Sequence, residues 1–127
     1  MIFVDTNVFM YAVGAPHPLR DPARDFLLGV FEEDRVLVTS SEVMQELLHA
    51  YLAVSRRAEI DRAFTLIESC TREVWSIEAQ DISLAWALAE THPALAARDL
   101  VHLATCERRG VDEVMTFDRR LASAFTS

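Results

Sequence analysis

Residues 2–12, Ile2-Phe3-Val4-Asp5-Thr6-Asn7-Val8-Phe9-Met10-Tyr11-Ala12, decide how the rest of the chain is read. Ile2–Val4 form a short apolar run with an acid directly behind it, and Val8–Tyr11 are apolar again. The stretch therefore reads as a buried strand running into a turn or short helix around Asp5-Thr6-Asn7. The same unit recurs along the chain. Val36–Thr39 is a second short strand, and Ser40 or Ser41 caps a helix with Val43, Met44, Leu47, Leu48, Tyr51 and Leu52 on its apolar face. Val74–Ile77 is a third strand, followed by a helix carrying Ile82, Ala85, Trp86 and Ala89. Glu113–Phe117 is the last strand, with a short helix from Arg119.

Further helices fill the intervals. Asp21-Pro22 opens one, with Asp as the cap and Pro at the first helical position, and Ala23, Phe26, Leu27, Val30 and Phe31 follow its apolar stripe. Ile60, Ala63, Phe64 and Ile67 signal another. His92-Pro93 breaks the chain, and a helix beginning near Arg98-Asp99 stops at Gly110. Strands alternating with helices predict an α/β fold, a mainly parallel central sheet flanked by helices. The 127 residues suit one domain, taken as 1–127, and 51% hydrophobic residues suffice for its core.

No apolar run approaches the roughly 18 residues that a membrane span requires. The opening Met1–Val4 is too short for a signal peptide, so a cytoplasmic location is expected. Cys70 and Cys106 are far apart without metal-like spacing and are expected to be buried thiols. The net charge of −8 argues against a nucleic-acid partner, but a carboxylate cluster offset by a cation would account for much of it. All 12 basic residues are arginine. A GC-rich coding bias explains this; the functional alternative is that arginine forks grip phosphates.

Ligands of open α/β sheets sit at the carboxyl ends of strands. Asp5 and Asp118 stand there, although an Asp behind a strand also caps a following helix. Glu46 and Asp99 lie on helices. At about 100° per residue, Glu46 falls some 60° from Val43, at the edge of the apolar face, whereas Glu42 reads as a solvated first-turn acid. Asp99 opens a largely buried helix, where an acid needs a partner or a metal. Four oxygen ligands of this kind suit Mg²⁺ or Mn²⁺, which activates water and stabilises charge on a phosphoryl group.

With these acids in place, Ile2–Ala12 resembles the opening motif of PIN-domain nucleases. Ser41–Tyr51 resembles that family's second motif, with its acid at Glu46, and Ala96–Ala122 the third and fourth, with theirs at Asp99 and Asp118. The resemblance implies a compact sheet wrapped by helices, and catalysis by Asp5, Glu46, Asp99 and Asp118 holding Mg²⁺ or Mn²⁺. It also implies that Thr6, Asn7 and Thr116 support the site. Small members of this kind are commonly VapC-type toxins of VapBC-type toxin–antitoxin pairs. They act on RNA, form homodimers and are inhibited by a small antitoxin. Gly14–Pro18 departs from the pattern as a Pro/His-rich loop beside the site. Arg98, Arg119 and Arg120 are candidates for the rim.

Other readings remain beside this one. A housekeeping PIN-domain nuclease without a toxin role is one. A catalytically silent binding module, with structural acids, is another. Glu46-x-x-His49 and Asp99-x-x-His102 imitate the ligand pairs of di-iron bundles, but that fold has no sheet. His49 and His102 are expected to be packing or hydrogen-bonded residues rather than ligands. Phosphotransfer on a strand-end Asp uses a lysine, and the chain has none. Trp75 and Trp86 are expected in the core.

Overall fold

The first strand, β1 (Ile2–Val4), is short and apolar because it runs through the middle of the sheet, with Phe3 and Val4 fully buried. In this computed structural model, residues 1–126 are described, and the side chains of residues 30–33 fall outside the described set, as does the expected packing of Val30 and Phe31. After β1 come α1 (Thr6–Val13), α2 (Arg20–Glu33), β2 (Leu37–Ser40), α3 (Ser41–Leu52) and α4 (Arg57–Cys70). The chain continues through β3 (Glu73–Trp75), α5 (Ala79–Ala89), α6 (Ala97–Arg108), β4 (Glu113–Met115) and α7 (Arg119–Thr126).

The strands order as β3-β2-β1-β4, and each neighbouring pair is parallel. Phe3 lies opposite both Val38 and Val114, so β1 is flanked on each side. Parallel pairing puts every strand's carboxyl end on one side. The chain adds β2 and β3 on one flank of β1 and returns to add β4 on the other. The crevice between β1 and β4 is therefore the topological switch point, where such sheets bind ligands. Asp5 follows β1 there, and Asp118 follows β4.

Phe3, Val8, Phe9, Leu27, Leu37, Val38, Val43, Leu47 and Ile67 form the main core. Gly110 ends the segment behind α6 at φ +69°, a left-handed backbone that explains why the stop is a glycine. Cys70 and Cys106 are free buried thiols, as expected. Three local expectations fail. The residue capping α2 is Leu19, and Asp21 lies inside the first turn, where its charge faces the helix dipole. Ser40 does stand at the cap of α3, but its hydroxyl is buried and makes no cap bond. Leu48 and Leu52 are exposed.

Trp75 and Trp86 part ways. Trp75 is half-buried and stacks on Phe3, ring centroids 6.1 Å apart, with the Arg109 guanidinium 5.1 Å from the centroid of its ring. Trp86 is 82% exposed and is not a core residue. Its helix is turned by Asp81 and Ala85, which are both buried. Asp81 is 0% exposed and receives Arg108 Nη1 at 2.7 Å, Arg109 Nη1 at 2.9 Å and the Glu78 amide at 2.8 Å. This pairing locks the start of α5 to the end of α6 and points Trp86 away.

Burial alone would raise the Asp81 carboxyl, but the hydrogen bonds from Arg109, the Glu78 backbone and Arg108 outweigh it and hold it down at about 2. A depressed acid contributes stability above its ordinary pKa and loses it as pH falls through the depressed one. Asp81→Asn should therefore cost on the order of 1–2 kcal/mol at neutral pH, allowing for the solvent that reaches both arginines. In urea unfolding at stepped pH, the gap to the parent protein should narrow between about pH 5 and pH 2. A gap that does not vary with pH would contradict the ion-pair account.

Candidate active site

Asp5 lies directly behind β1 and caps α1, accepting a bond from the Thr6 amide at 2.7 Å. Its position is fixed by the sheet: the Asp5 amide donates to the Met115 carbonyl at 3.0 Å, and Thr39 Oγ1 donates to the Val4 carbonyl at 2.9 Å. The other Asp5 oxygen accepts from Thr116 Oγ1 at 2.7 Å. Asn7 Nδ2 donates to Thr116 Oγ1, and Asn7 Oδ1 accepts from the Phe117 amide. Thr6, Asn7 and Thr116 thus tie the end of β1 to the end of β4.

Glu46 projects from the second turn of α3 and is buried. Thr6 Oγ1 donates to its Oε2, and His102 Nε2 lies 3.1 Å and 3.3 Å from its two oxygens. A carboxylate only accepts, so the proton of this contact belongs to Nε2. His102 comes from α6, is 1% exposed, and its Nε2 is also 3.6 Å from Asp5 Oδ1. Phe3 packs on its ring at 5.3 Å between centroids. Its Nδ1 is buried and has no hydrogen-bond partner among the described residues.

Asp5, Glu46 and His102 each offer one ligand atom, and these atoms lie within 4.8 Å of one another. The two carboxylates at such spacing fit a divalent cation that takes oxygen ligands, while His102, whose Nε2 proton goes to Glu46, orients that carboxylate. The donor set is therefore compatible with Mg²⁺ or Mn²⁺. Asp99 and Asp118 stand outside this tight trio. Asp118 spends one oxygen on α7, accepting from the Arg120 amide at 2.9 Å and the Leu121 amide at 3.4 Å. It is a helix cap, and it is also near enough to Asp99 to raise that acid's pKa.

The charges are strongly coupled. Burial pushes Asp5 up, and the charge of His102 and the bonds from Thr116 and Thr6 only partly offset this. For Glu46 burial is again the largest influence, but the His102 bond and charge and the Thr6 bond outweigh it, so Glu46 is lowered. His102 is raised: burial opposes its charge, and Glu46, Asp5 and Asp99 overcome that opposition. Asp99 is raised first by burial and then by the like charges of Asp118, Asp5 and Glu46.

His102 is the residue whose centrality the sequence left out. The hydrogen-bonded role expected for it is correct, but its partner is a site carboxylate. The available signal was the spacing Asp99-x-x-His102, which puts both on one face of α6. Glu42 is also misjudged. Four residues apart on a helix is only about 40° of rotation, so Glu42 and Glu46 share a side. Glu42 is half-buried and raised, by burial and then by the charge of Glu46. His49 is exposed. The 14–18 loop does border the site end: His17 packs on Tyr11 at 4.6 Å, and Tyr11 meets Phe117 edge-on at 5.6 Å.

The PIN-domain family model matches residues 2–124. The chain belongs to the PIN-domain family. Ribonuclease VapC23 of Mycobacterium tuberculosis is 58% identical over 127 residues, which is 100% of both chains. Ribonuclease VapC13 of the same organism is 39% identical over 119 residues, covering 94% of this chain and 91% of that one. The crystal structure of M. tuberculosis VapC20, a toxin that cleaves the sarcin–ricin loop, matches with a TM-score of 0.78. It covers 98% of this chain and 95% of that chain at 20% identity, a likeness of fold. This PIN domain is a ribonuclease of the VapC toxin type.

An acid with a raised folded pKa loses its proton first in the unfolded chain, so its presence costs stability as pH rises above about 4. The hydrogen bonds among the described residues include none to the Asp99 carboxylate to offset this. Asp99→Asn should therefore melt a few degrees above the parent protein in EDTA at pH 7. Mn²⁺ should raise the parent's melting temperature more than the variant's, because it binds the native state. An Asp99→Asn protein that melts lower and responds equally to Mn²⁺ would mark Asp99 as structural.

Proposed function

We propose that this protein cleaves RNA phosphodiester bonds with the help of Mg²⁺ or Mn²⁺, and that Asp5, Glu46, Asp99 and Asp118 are its catalytic acids. The convergence of Asp5, Glu46 and His102 at the switch point, with Asp99 and Asp118 charge-coupled beside them, carries this reading. A divalent cation held by these groups supplies activation of water and stabilisation of charge on the phosphoryl oxygens.

The chain's own residues then have distinct tasks. The bonds from Thr6 and Thr116 keep both Asp5 oxygens oriented before any ligand arrives. His102 holds Glu46 in place and keeps its carboxylate ionised despite burial. Asp99 is half-buried, and its proton affinity is raised by burial and by the charges of Asp118, Asp5 and Glu46. It is the acid assigned to take the proton that an attacking water gives up. Arg98, whose charge reaches both Glu42 and Glu46, and the exposed Arg119 and Arg120 form a rim that receives phosphates.

The substrate is RNA, and the partner is a small cognate antitoxin of a VapBC-type pair; the relatives' toxin identity supports both. The protein acts in the cytoplasm as one nuclease domain, residues 1–127, and as a homodimer. Among the described residues no helix is long and apolar enough to cross a membrane.

Incubating purified protein with total RNA should give discrete fragments with Mg²⁺ or Mn²⁺ and none with EDTA. Asp5→Ala, Asp99→Asn and Glu46→Gln should lower cleavage at least a hundredfold while remaining folded, the scale typical of lost transition-state charge stabilisation. Glu42→Gln should lose less than Glu46→Gln, because Glu42 stands outside the trio. Full activity in Asp5→Ala, or cleavage that EDTA does not touch, would overturn the proposal. Expressed alone, the protein should arrest growth, and co-expression of a small protein encoded beside it should relieve the arrest. Harmless expression of an active nuclease would indicate a housekeeping role.

A further inference from the structure

The Pro/His-rich loop at 14–18 is the sequence feature that the acids do not account for. It leaves α1 at Gly14, where a side chain would place its Cβ 2.9 Å from the Met10 carbonyl, a fit that glycine avoids. Pro16 and Pro18 flank His17 and fix their own φ. The His17 carbonyl accepts from the Arg20 amide at 3.0 Å, and its Nδ1 accepts from the Leu19 amide at 3.0 Å. The ring therefore carries its proton on Nε2. His17 is exposed, yet its ring is held against Tyr11, centroids 4.6 Å apart and tilted by 33°. A histidine tied at its ring and its backbone has already lost the freedom that a ligand would otherwise have to remove.

Behind that ring the contacts lead to the acids. Tyr11 lies one helical turn after Asn7 and meets Phe117 edge-on at 5.6 Å. The Phe117 amide donates to Asn7 Oδ1, and Thr116, the residue before it, donates to Asp5. Arg119 and Arg120 follow, exposed and in no ion pair among the described residues. From this chain of contacts we infer that His17 is a stacking subsite for an unpaired RNA base flanking the scissile phosphate, with Tyr11 and Phe117 as its backing. The inference rests on the RNA reading of the acids and narrows the substrate class within it. The RNA it selects carries a single-stranded or looped-out base beside the cut.

Single-stranded RNA is gripped by aromatic and histidine rings under its bases and by cations along its phosphates. The loop supplies the ring, and Arg119 and Arg120 supply the charge. The acids nearest to them in the chain are Asp21, exposed in the first turn of α2, and Asp118. Asp118 already spends one oxygen on the Arg120 and Leu121 amides. A base inside a duplex has both faces covered by its neighbours, so the ring selects a base that has left the stack. A protein segment is the other occupant to weigh. The outermost group here is a polar ring with an N–H to donate, in a segment that also carries two arginines without ion pairs. That combination suits a base and its phosphate better than an apolar side chain.

Fluorescence anisotropy in EDTA, which keeps the RNA uncut, tests this with two labelled RNA hairpins. One has a loop of ordinary bases, and the other has the same loop without bases, leaving ribose and phosphate. The parent protein should bind the base-bearing hairpin about tenfold more tightly, the scale of one base stack. His17→Ala, with unchanged circular dichroism, should bind both alike, at the parent's affinity for the abasic loop. His17→Phe keeps a ring against Tyr11 and should retain most of the preference. Arg119→Gln should weaken both hairpins equally and flatten the salt dependence while the preference stays. A His17→Ala protein that keeps the parent's preference would overturn the subsite while the RNA reading stands. So would a parent that prefers neither hairpin yet cleaves total RNA. A parent that neither binds nor cleaves RNA would overturn both. A His17→Ala protein that binds both hairpins as the parent does, but escapes the small protein encoded beside it, would overturn the subsite and assign the ring to that partner.

Discussion

Two carboxylates, Asp5 and Glu46, are buried beside one another, and the rest of the site follows from how that is made tolerable. An isolated buried carboxylate is costly enough that it normally neutralises. Here each acid has donors built into the backbone and its neighbours. Thr6 serves both, through its amide to Asp5 and its hydroxyl to Glu46. His102 stands between them, 3.1 Å from Glu46 and 3.6 Å from Asp5. The compensation is unequal. Glu46 is lowered from its ordinary value and Asp5 is raised from its own. The cluster carries more acidic groups than basic ones, which favours a divalent cation by Coulomb attraction.

The sheet makes this possible. With β1 inside and parallel neighbours on both sides, its carboxyl end opens onto the switch point. Thr116 and Asp118 arrive from the end of β4, Glu46 from the helix that follows β2, and Asp99 and His102 from the helix that precedes β4. Four separate segments are thereby delivered to one edge. The clamp of Asp81 on Arg108 and Arg109 sits at the far end of α6 from Asp99. It fixes the helix that carries both Asp99 and His102, so packing remote from the chemistry sets where those side chains stand.

Much of this was legible from residue order. Alternating strands and helices imply a parallel sheet, and a parallel sheet implies that Asp5 and Asp118 share an edge. The short apolar runs placed the four strands within one or two residues. What periodicity could not show was convergence. His102 reads as a buried polar residue on a helix, and only the packing of α6 against α3 and Phe3 brings it to Glu46. Glu42 was separated too sharply from Glu46, although a four-residue step keeps both on one side. Trp86 looked like core because it falls on an apolar repeat. The phase of α5 was set instead by Asp81, whose ion pairs lie far away in sequence and give no local signal.

The central claim is that Asp5 and Glu46, oriented by Thr6, Thr116 and His102, form one preorganised divalent-cation site. Electron paramagnetic resonance of Mn²⁺ added to the purified protein tests it most directly, because free and bound ion give separate signals. Saturable binding that Asp5→Asn and Glu46→Gln abolish, and that Glu42→Gln retains, is the predicted result. Mn²⁺ that stays free in the presence of excess folded protein, or that binds Asp5→Asn as well as the parent, would contradict it.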